Sequence, residues 1–105
     1  MNRAAAAPDP SCRIDVWLWR ARFFKTRNLA GGYVAAGRVR LIRGANGVRL
    51  DKASRTVRQG DEIVFVLGGR AVTLRILAMG ERRGPASEAR ALYELIAETD
   101  PPESP

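Results

Sequence analysis

Apolar positions change their spacing along this chain, and each change marks an element. From Val16 to Phe24 the run VWLWRARFF is apolar almost all round a helical projection, interrupted only by Arg20 and Arg22. Such a helix is expected to be largely buried, with its guanidinium groups reaching out to water. Asp15 stands just before it as a candidate N-cap. Thr26 is a second N-cap candidate, ahead of a helix that gathers Leu29, Ala30, Tyr33, Val34 and Gly37 on one face, with Gly37 placed to close it. Lys25, Thr26 and Arg27 then fall in the tight joint between the helices. Two glycines inside the second helix, Gly31 and Gly32, cost on the order of 2 kcal/mol relative to alanine, so that helix depends on tertiary contacts.

After Gly37 the period becomes two. Arg38 to Ile42 reads as a short strand with Val39 and Leu41 inward and Arg38 and Arg40 outward; a loop from Arg43 to Gly47 follows, and Val48 and Leu50 begin the return strand. The strongest β signal is Glu62 to Leu67 and Arg70 to Leu77, joined at Gly68-Gly69. It sets Ile63, Phe65, Leu67, Val72, Leu74 and Ile76 on one buried face. Pro85 suits the first turn of a terminal helix whose Ala89, Leu92, Tyr93 and Ile96 recur at helical spacing. The pattern therefore predicts an α+β fold: two short N-terminal helices packed on a small, mostly antiparallel sheet, plus a C-terminal helix. Residues 1–12 are expected to be a tail, 13–79 the main domain, 80–98 the connector and C-terminal helix, and 99–105 a second tail.

Charge changes this picture most. The chain has a formal net charge of +7 and a pI near 11.0. Between residues 13 and 43 eight bases face the single acid Asp15, a local net charge of +7, whereas from Gly84 onward five acids face one base. A solvated face normally mixes signs, so this row of cations points to a polyanionic partner. The aromatic residues are assigned to packing, as is usual for Trp and Phe at helical spacing.

Other chemistry is scarce. There is no histidine, which removes the commonest general base and the commonest metal ligand, and Cys12 is alone, so no internal disulfide forms and a reducing cytoplasm is expected. Asp61 and Glu62 are adjacent in a turn and make a poor acid/base pair. No glycine-rich cofactor loop follows a strand. No apolar run reaches the length of a membrane span. Neither catalysis, cofactor nor metal is expected.

The string RIDVWLWRARFFKTRNLAGGYVAAGRV resembles the S4-like, or alpha-L, RNA-binding domain. Arg13, Asp15, Leu18, Arg22, Thr26, Arg27, Ala30, Gly37 and Val39 stand at the places of that pattern. The variant WLWRARFFKTR, with the later ERRGPASEARALYEL, is similar to the small bacterial ribosome-associated heat-shock proteins of the same superfamily. Lys52, Ala53, Ser54 and Arg55 sit where the family has a Lys-Pro-Ser motif that helps hold RNA backbone, with Ala53 a departure; Val16 replaces a family lysine. The family's longer basic C-terminal extension has no counterpart within residues 1–105, and nothing is carried over from it.

What the resemblance implies is noncatalytic binding of structured RNA, namely rRNA of the large ribosomal subunit in rescue of stalled nascent-chain complexes under stress, with tRNA as a further partner. Arg13, Arg22, Lys25, Arg27, Arg38, Arg40, Lys52 and Arg55 are expected to neutralise phosphates, and Thr26 and Ser54 to add hydrogen bonds. A monomer is expected. Two alternatives stand beside this reading: a DNA-binding or nucleoid-type protein, because two short helices with a basic joint resemble a helix-turn-helix, and a remnant of an RNA-modifying enzyme, because the same domain is attached to several.

Overall fold

The computed structural model describes residues 10–99. In chain order the elements are β1 (Ser11–Arg13), α1 (Ile14–Arg20), α2 (Arg27–Ala35), β2 (Val39–Arg43), β3 (Asn46–Leu50), β4 (Thr56–Arg58), β5 (Glu62–Leu67), β6 (Arg70–Ile76), α3 (Ala86–Arg90) and β7 (Tyr93–Thr99). A five-stranded antiparallel sheet in the order β3-β2-β5-β6-β7 forms one layer, and β1 and β4 make a separate two-stranded ribbon. This is the expected α+β class.

The core fills the space between sheet and helices. Trp17, Ile14 and Leu18 of α1 and Ala30 and Val34 of α2 pack with Val39, Leu41, Leu50, Ile63, Phe65, Val72, Leu74 and Ile76. Trp17 is fully buried and its indole N–H donates to the carbonyl of Ala78 at 2.8 Å, so its one polar atom is satisfied. Phe23 lies against Phe65, with ring centroids 5.4 Å apart, and against Tyr93 at 4.9 Å. The aromatic residues are packing, as their spacing indicated. Leu67 and Leu29 are exceptions to the expected faces: both are exposed.

Helix α1 closes differently from the sequence pattern. Asp15 is not its N-cap; Arg13 holds that position without a side-chain hydrogen bond, and Asp15 is the second helical residue. At the other end Arg22 takes φ = +69°, a left-handed conformation usual for glycine. Its N–H donates to the Trp19 carbonyl at 3.1 Å and that of Phe23 to the Leu18 carbonyl at 3.0 Å, the pair of bonds of a Schellman turn. Phe23 then meets Trp17, ring centroids 6.3 Å apart, which supplies the hydrophobic contact that accompanies such turns.

Three further expectations are corrected. The tail expected to end at Cys12 is ordered from Ser11, because Ser11 and Cys12 pair with Arg58 and Val57 in the β1–β4 ribbon. Residues 1–9 of the expected N-terminal tail and 100–105 of the C-terminal one lie outside the described residues, and Thr99 belongs to β7. The five-residue loop at Arg43–Gly47 is a two-residue turn, Gly44-Ala45, with Arg43 facing Asn46 and Gly44 at φ = +64°. The terminal helix is shortest of all. It ends at Arg90, and Tyr93 to Thr99 form an edge strand on β6. A helix there leaves the outer N–H and C=O groups of β6 without partners, and backbone satisfaction outweighs local helical spacing. Arg75 fastens this strand, bonding Glu94 of β7 and Glu62 of β5 at 3.1 Å each.

The Gly60-Asp61 turn is more than a chain reversal. The Arg43 guanidinium donates twice to the Asp61 carboxylate, at 2.8 and 2.7 Å, and the Arg58 N–H donates to it at 3.0 Å. Asp61 is 2% exposed. Burial pushes its carboxyl up, but the bonds from Arg43 and from the Arg58 backbone outweigh that and leave it below its ordinary range. A lowered folded value means the stabilisation is complete above the ordinary carboxylate range and is lost as pH falls through the folded value. Asp61→Asn is expected to destabilise the fold by about 3 kcal/mol at neutral pH, measured by urea unfolding. The difference from the unsubstituted chain should shrink on acidification; an undiminished difference would contradict the assignment.

Candidate nucleic-acid interface

The candidate surface is organised where α1, α2 and the loop at residues 51–55 meet. The Asp15 carboxylate is buried there at 5% exposure. It accepts two bonds from Arg13, at 3.0 and 2.9 Å, and one from the Val16 N–H at 2.7 Å, while the Asp15 N–H reaches the Ala53 carbonyl at 3.4 Å. The Ile14 N–H donates to the Arg55 carbonyl at 2.7 Å. Across from them Gly31 brings the α2 backbone close: a Cβ at Gly31 would lie 3.4 Å from the Ala53 Cβ and 3.7 Å from Asp15 Oδ2. Helix α2 is thereby seated on the loop.

The ten residues singled out in the sequence divide into groups. Lys25 and Arg27 are exposed at the start of α2, and Thr26 caps it, its Oγ1 accepting from the Leu29 N–H at 3.0 Å. Arg27 lies one turn before Gly31 and so shares the side of α2 that faces the loop. Lys52, Ser54 and Arg55 are exposed on that loop. Arg13 flanks the junction, half-exposed, with its guanidinium on Asp15. Arg38 stands at the far end of α2, stacked 5.7 Å from the centroid of the Tyr33 ring. Among the described residues, Lys25, Arg27, Arg38, Lys52 and Arg55 have no carboxylate partner.

Two residues depart from this grouping. Arg22 is exposed, and its Nε donates to the Gly84 carbonyl at 2.7 Å, which ties the joint to the connector before α3. Arg20, partly buried, likewise donates to the Gly80 carbonyl at 2.8 Å. Arg40 alternates with the buried Val39 and Leu41, which places it on the opposite face of the sheet from the helices. Sequence reasoning missed Arg49, the direct cross-strand partner of Arg40. The signal was available in the alternation of Val48, Arg49 and Leu50, but register depended on a turn assigned the wrong length.

Four other bases differ in kind. Arg43, Arg70, Arg75 and Arg82 all pair with acids, to Asp61, Glu98, Glu62 and Glu94, and Glu88 respectively. The bases paired with acids thus lie mainly on β6 and in the connector, while among the described residues those around α2 and the Arg40–Arg49 pair, and singly Arg58, Arg83 and Arg90, have no carboxylate partner. Cys12 is half-buried rather than in a tail. Burial pushes its thiol above the ordinary value, against a lowering influence from Arg20, so it is protonated at neutral pH and a poor nucleophile. Among the described residues no cluster of acids and cysteine has the makings of a metal site, and no helix is long and apolar enough to cross a membrane.

Comparison with known proteins identifies the type of domain. The model of the S4 domain matches residues 12–63, from β1 into β5. A solved structure described as trimeric Heat Shock Protein 15 of Vibrio cholerae superposes with a TM-score of 0.73 at 35% identity, covering 84% of each chain. The chain belongs to the S4-domain heat-shock protein family. Heat shock protein 15 of Escherichia coli (strain K12) is 40% identical over 92 residues, and the homolog of Haemophilus influenzae 35% over 86 residues. The chain spans 65% of the length of the Escherichia coli relative. Membership gives it the RNA-binding type of domain that the residue pattern resembled. The Vibrio cholerae relative is a trimer by its description, so the monomer expected from this sequence is not the state which that family member takes.

The seating of α2 makes two glycines separable. Gly31→Leu should displace the 51–55 loop, lower stability by about 1–3 kcal/mol and shift the amide resonances of residues 52–55. Nothing lies within 4 Å of a Cβ at Gly32, and Gly32→Ala should raise stability by about 1 kcal/mol. Equal behaviour of the two variants in thermal melts would mean that the contact is misplaced.

Proposed function

We propose that this chain is a noncatalytic binder of folded ribosomal RNA of the large subunit, acting in the cytoplasm on subunits left with a nascent chain and peptidyl-tRNA after stress. The observation that carries the proposal is the group of exposed cations around α2 that have no carboxylate partner among the described residues, while Arg43, Arg70, Arg75 and Arg82 elsewhere in the chain are paired. Self-repulsion of that kind is relieved by a polyanion. Lys25, Arg27, Lys52 and Arg55, with Arg13 and Arg38 at the margins, contact backbone phosphates. Thr26 and Ser54 orient them, and the free amides at the start of α2 add positive potential. Arg22 serves the same surface from behind, by holding the joint to the connector. Family membership supports the choice of RNA.

The geometry of α2 weighs against reading DNA bases. A recognition helix needs an open face of base-reading side chains. One side of α2 packs in the core through Ala30 and Val34, another sits on Ala53, and its exposed residues are Arg27, Asn28, Leu29, Gly32 and Ala35, of which Arg27 and Asn28 alone have polar side chains. Backbone contacts that recognise shape, as in structured RNA, suit this surface better.

Binding of an rRNA fragment should therefore weaken steeply with salt, with a log–log slope of about −4 to −6 for five to seven phosphates. Lys25→Glu combined with Arg27→Glu should flatten the slope by about 2 and weaken binding at least tenfold. Arg82→Glu with Arg90→Glu makes the same change in net charge away from the surface and should leave most of the affinity. Equal losses from the two double variants in filter binding would refute the placement of the interface.

A further inference from the structure

The bare face of the sheet carries a second cationic feature that the helix-side surface does not include. Residues alternating with the core, among them Arg40, Ile42, Val64 and Thr73, are exposed or half-buried. At its open edge Arg40 and Arg49 stand directly opposite each other on β2 and β3. Like charges directly across an antiparallel pair destabilise it, and among the described residues neither has a carboxylate partner. The side chains run apart along the ribbon: a Cβ at Gly47 would lie 3.6 Å from an Arg40 terminal nitrogen, and one at Gly37 would lie 3.5 Å from the Arg49 Cδ. The two guanidinium groups thus cover a length of the edge rather than one point. They are separated from Lys25 and Arg27 by the sheet and by a helix layer on the order of 10 Å thick.

We propose that Arg40 and Arg49 form a second RNA contact on the bare face, so that the open β2–β3 edge is gripped between two separate backbone segments of one folded RNA. This rests on the function proposed above and deepens it: the partner is RNA whose fold brings two strands, or two helices, to either side of a sheet edge, and a single isolated strand does not satisfy both faces. A phosphate beside each guanidinium offsets the repulsion that the cross-strand pair otherwise carries, and the splayed side chains match extended backbone better than a compact anion.

Tethered hydroxyl-radical cleavage tests this in the full chain. In a Cys12→Ser background an iron chelate is attached either at Asn28→Cys, exposed on α2, or at Thr73→Cys, on the bare face. With a large-subunit rRNA fragment bound, the two positions should cut two non-overlapping segments. Adding Arg40→Glu and Arg49→Glu should abolish the Thr73 cuts and weaken binding about tenfold while the Asn28 cuts persist. Overlapping cuts from both positions, or Thr73 cuts and affinity unchanged by the reversal, would overturn the two-sided grip and leave RNA binding by α2 standing. Absence of cuts from both positions, together with salt-independent binding, would remove the proposed function and this inference with it.

Discussion

The buried carboxylate of Asp15 is the constraint on which the candidate surface depends. Its charge is compensated by a bidentate bond to Arg13, and its backbone N–H reaches the carbonyl of Ala53. At Gly31 the α2 backbone lies close enough that an added Cβ would be in van der Waals contact with both Ala53 and Asp15. One residue thus joins the end of β1, the start of α1, the middle of α2 and the loop that follows β3. Removing the charge leaves Arg13 free to move and withdraws the group against which the other elements are seated. A buried charge whose only ionic partner among the described residues is one half-exposed arginine is costly to disturb.

The arrangement of the other charges follows from what each arginine meets. On β6, Arg70 and Arg75 find glutamates on neighbouring strands, which ties β7 to the sheet, and Arg82 of the connector finds Glu88 of α3. In the first half of the chain acids are nearly absent, so the arginines divide by geometry. Arg20 and Arg22 turn back onto carbonyls of the connector, Arg38 stacks on Tyr33, and Lys25, Arg27, Arg40, Arg49, Lys52 and Arg55 remain in water. The first group builds the fold and the last leaves it with an uncompensated surface. Exposed pairs contribute little stability individually; what matters here is which cations they leave over.

Much of this was legible in the residues. The two helices, the Thr26 cap, the Gly37 terminus, the Gly68-Gly69 hairpin and nearly all of the core follow from local spacing and turn chemistry, because each is decided within a few residues. Where local and distant preferences compete, the sequence is silent about the winner. Tyr93 to Thr99 have helical spacing but complete the edge of β6. Arg22 takes a conformation that local statistics assign to glycine, since the Gly84 carbonyl and the Trp17–Phe23 contact hold it there. Arg40 lies behind the sheet rather than on the helix side, which alternation implied once the sheet's buried face was fixed. Arg49 was hidden by the length of one turn.

The central claim is that uncompensated cations around α2, the 51–55 loop and the β2–β3 edge face RNA, while the pairs on β6 and the connector do not. Hydrogen exchange of the whole chain, alone and saturated with a large-subunit rRNA fragment, measures this directly. The account predicts added protection at residues 25–29, 38–41 and 49–55, with exchange along β7 and α3 unchanged. Protection centred on residues 82–99, with the α2 joint unaffected, would contradict it.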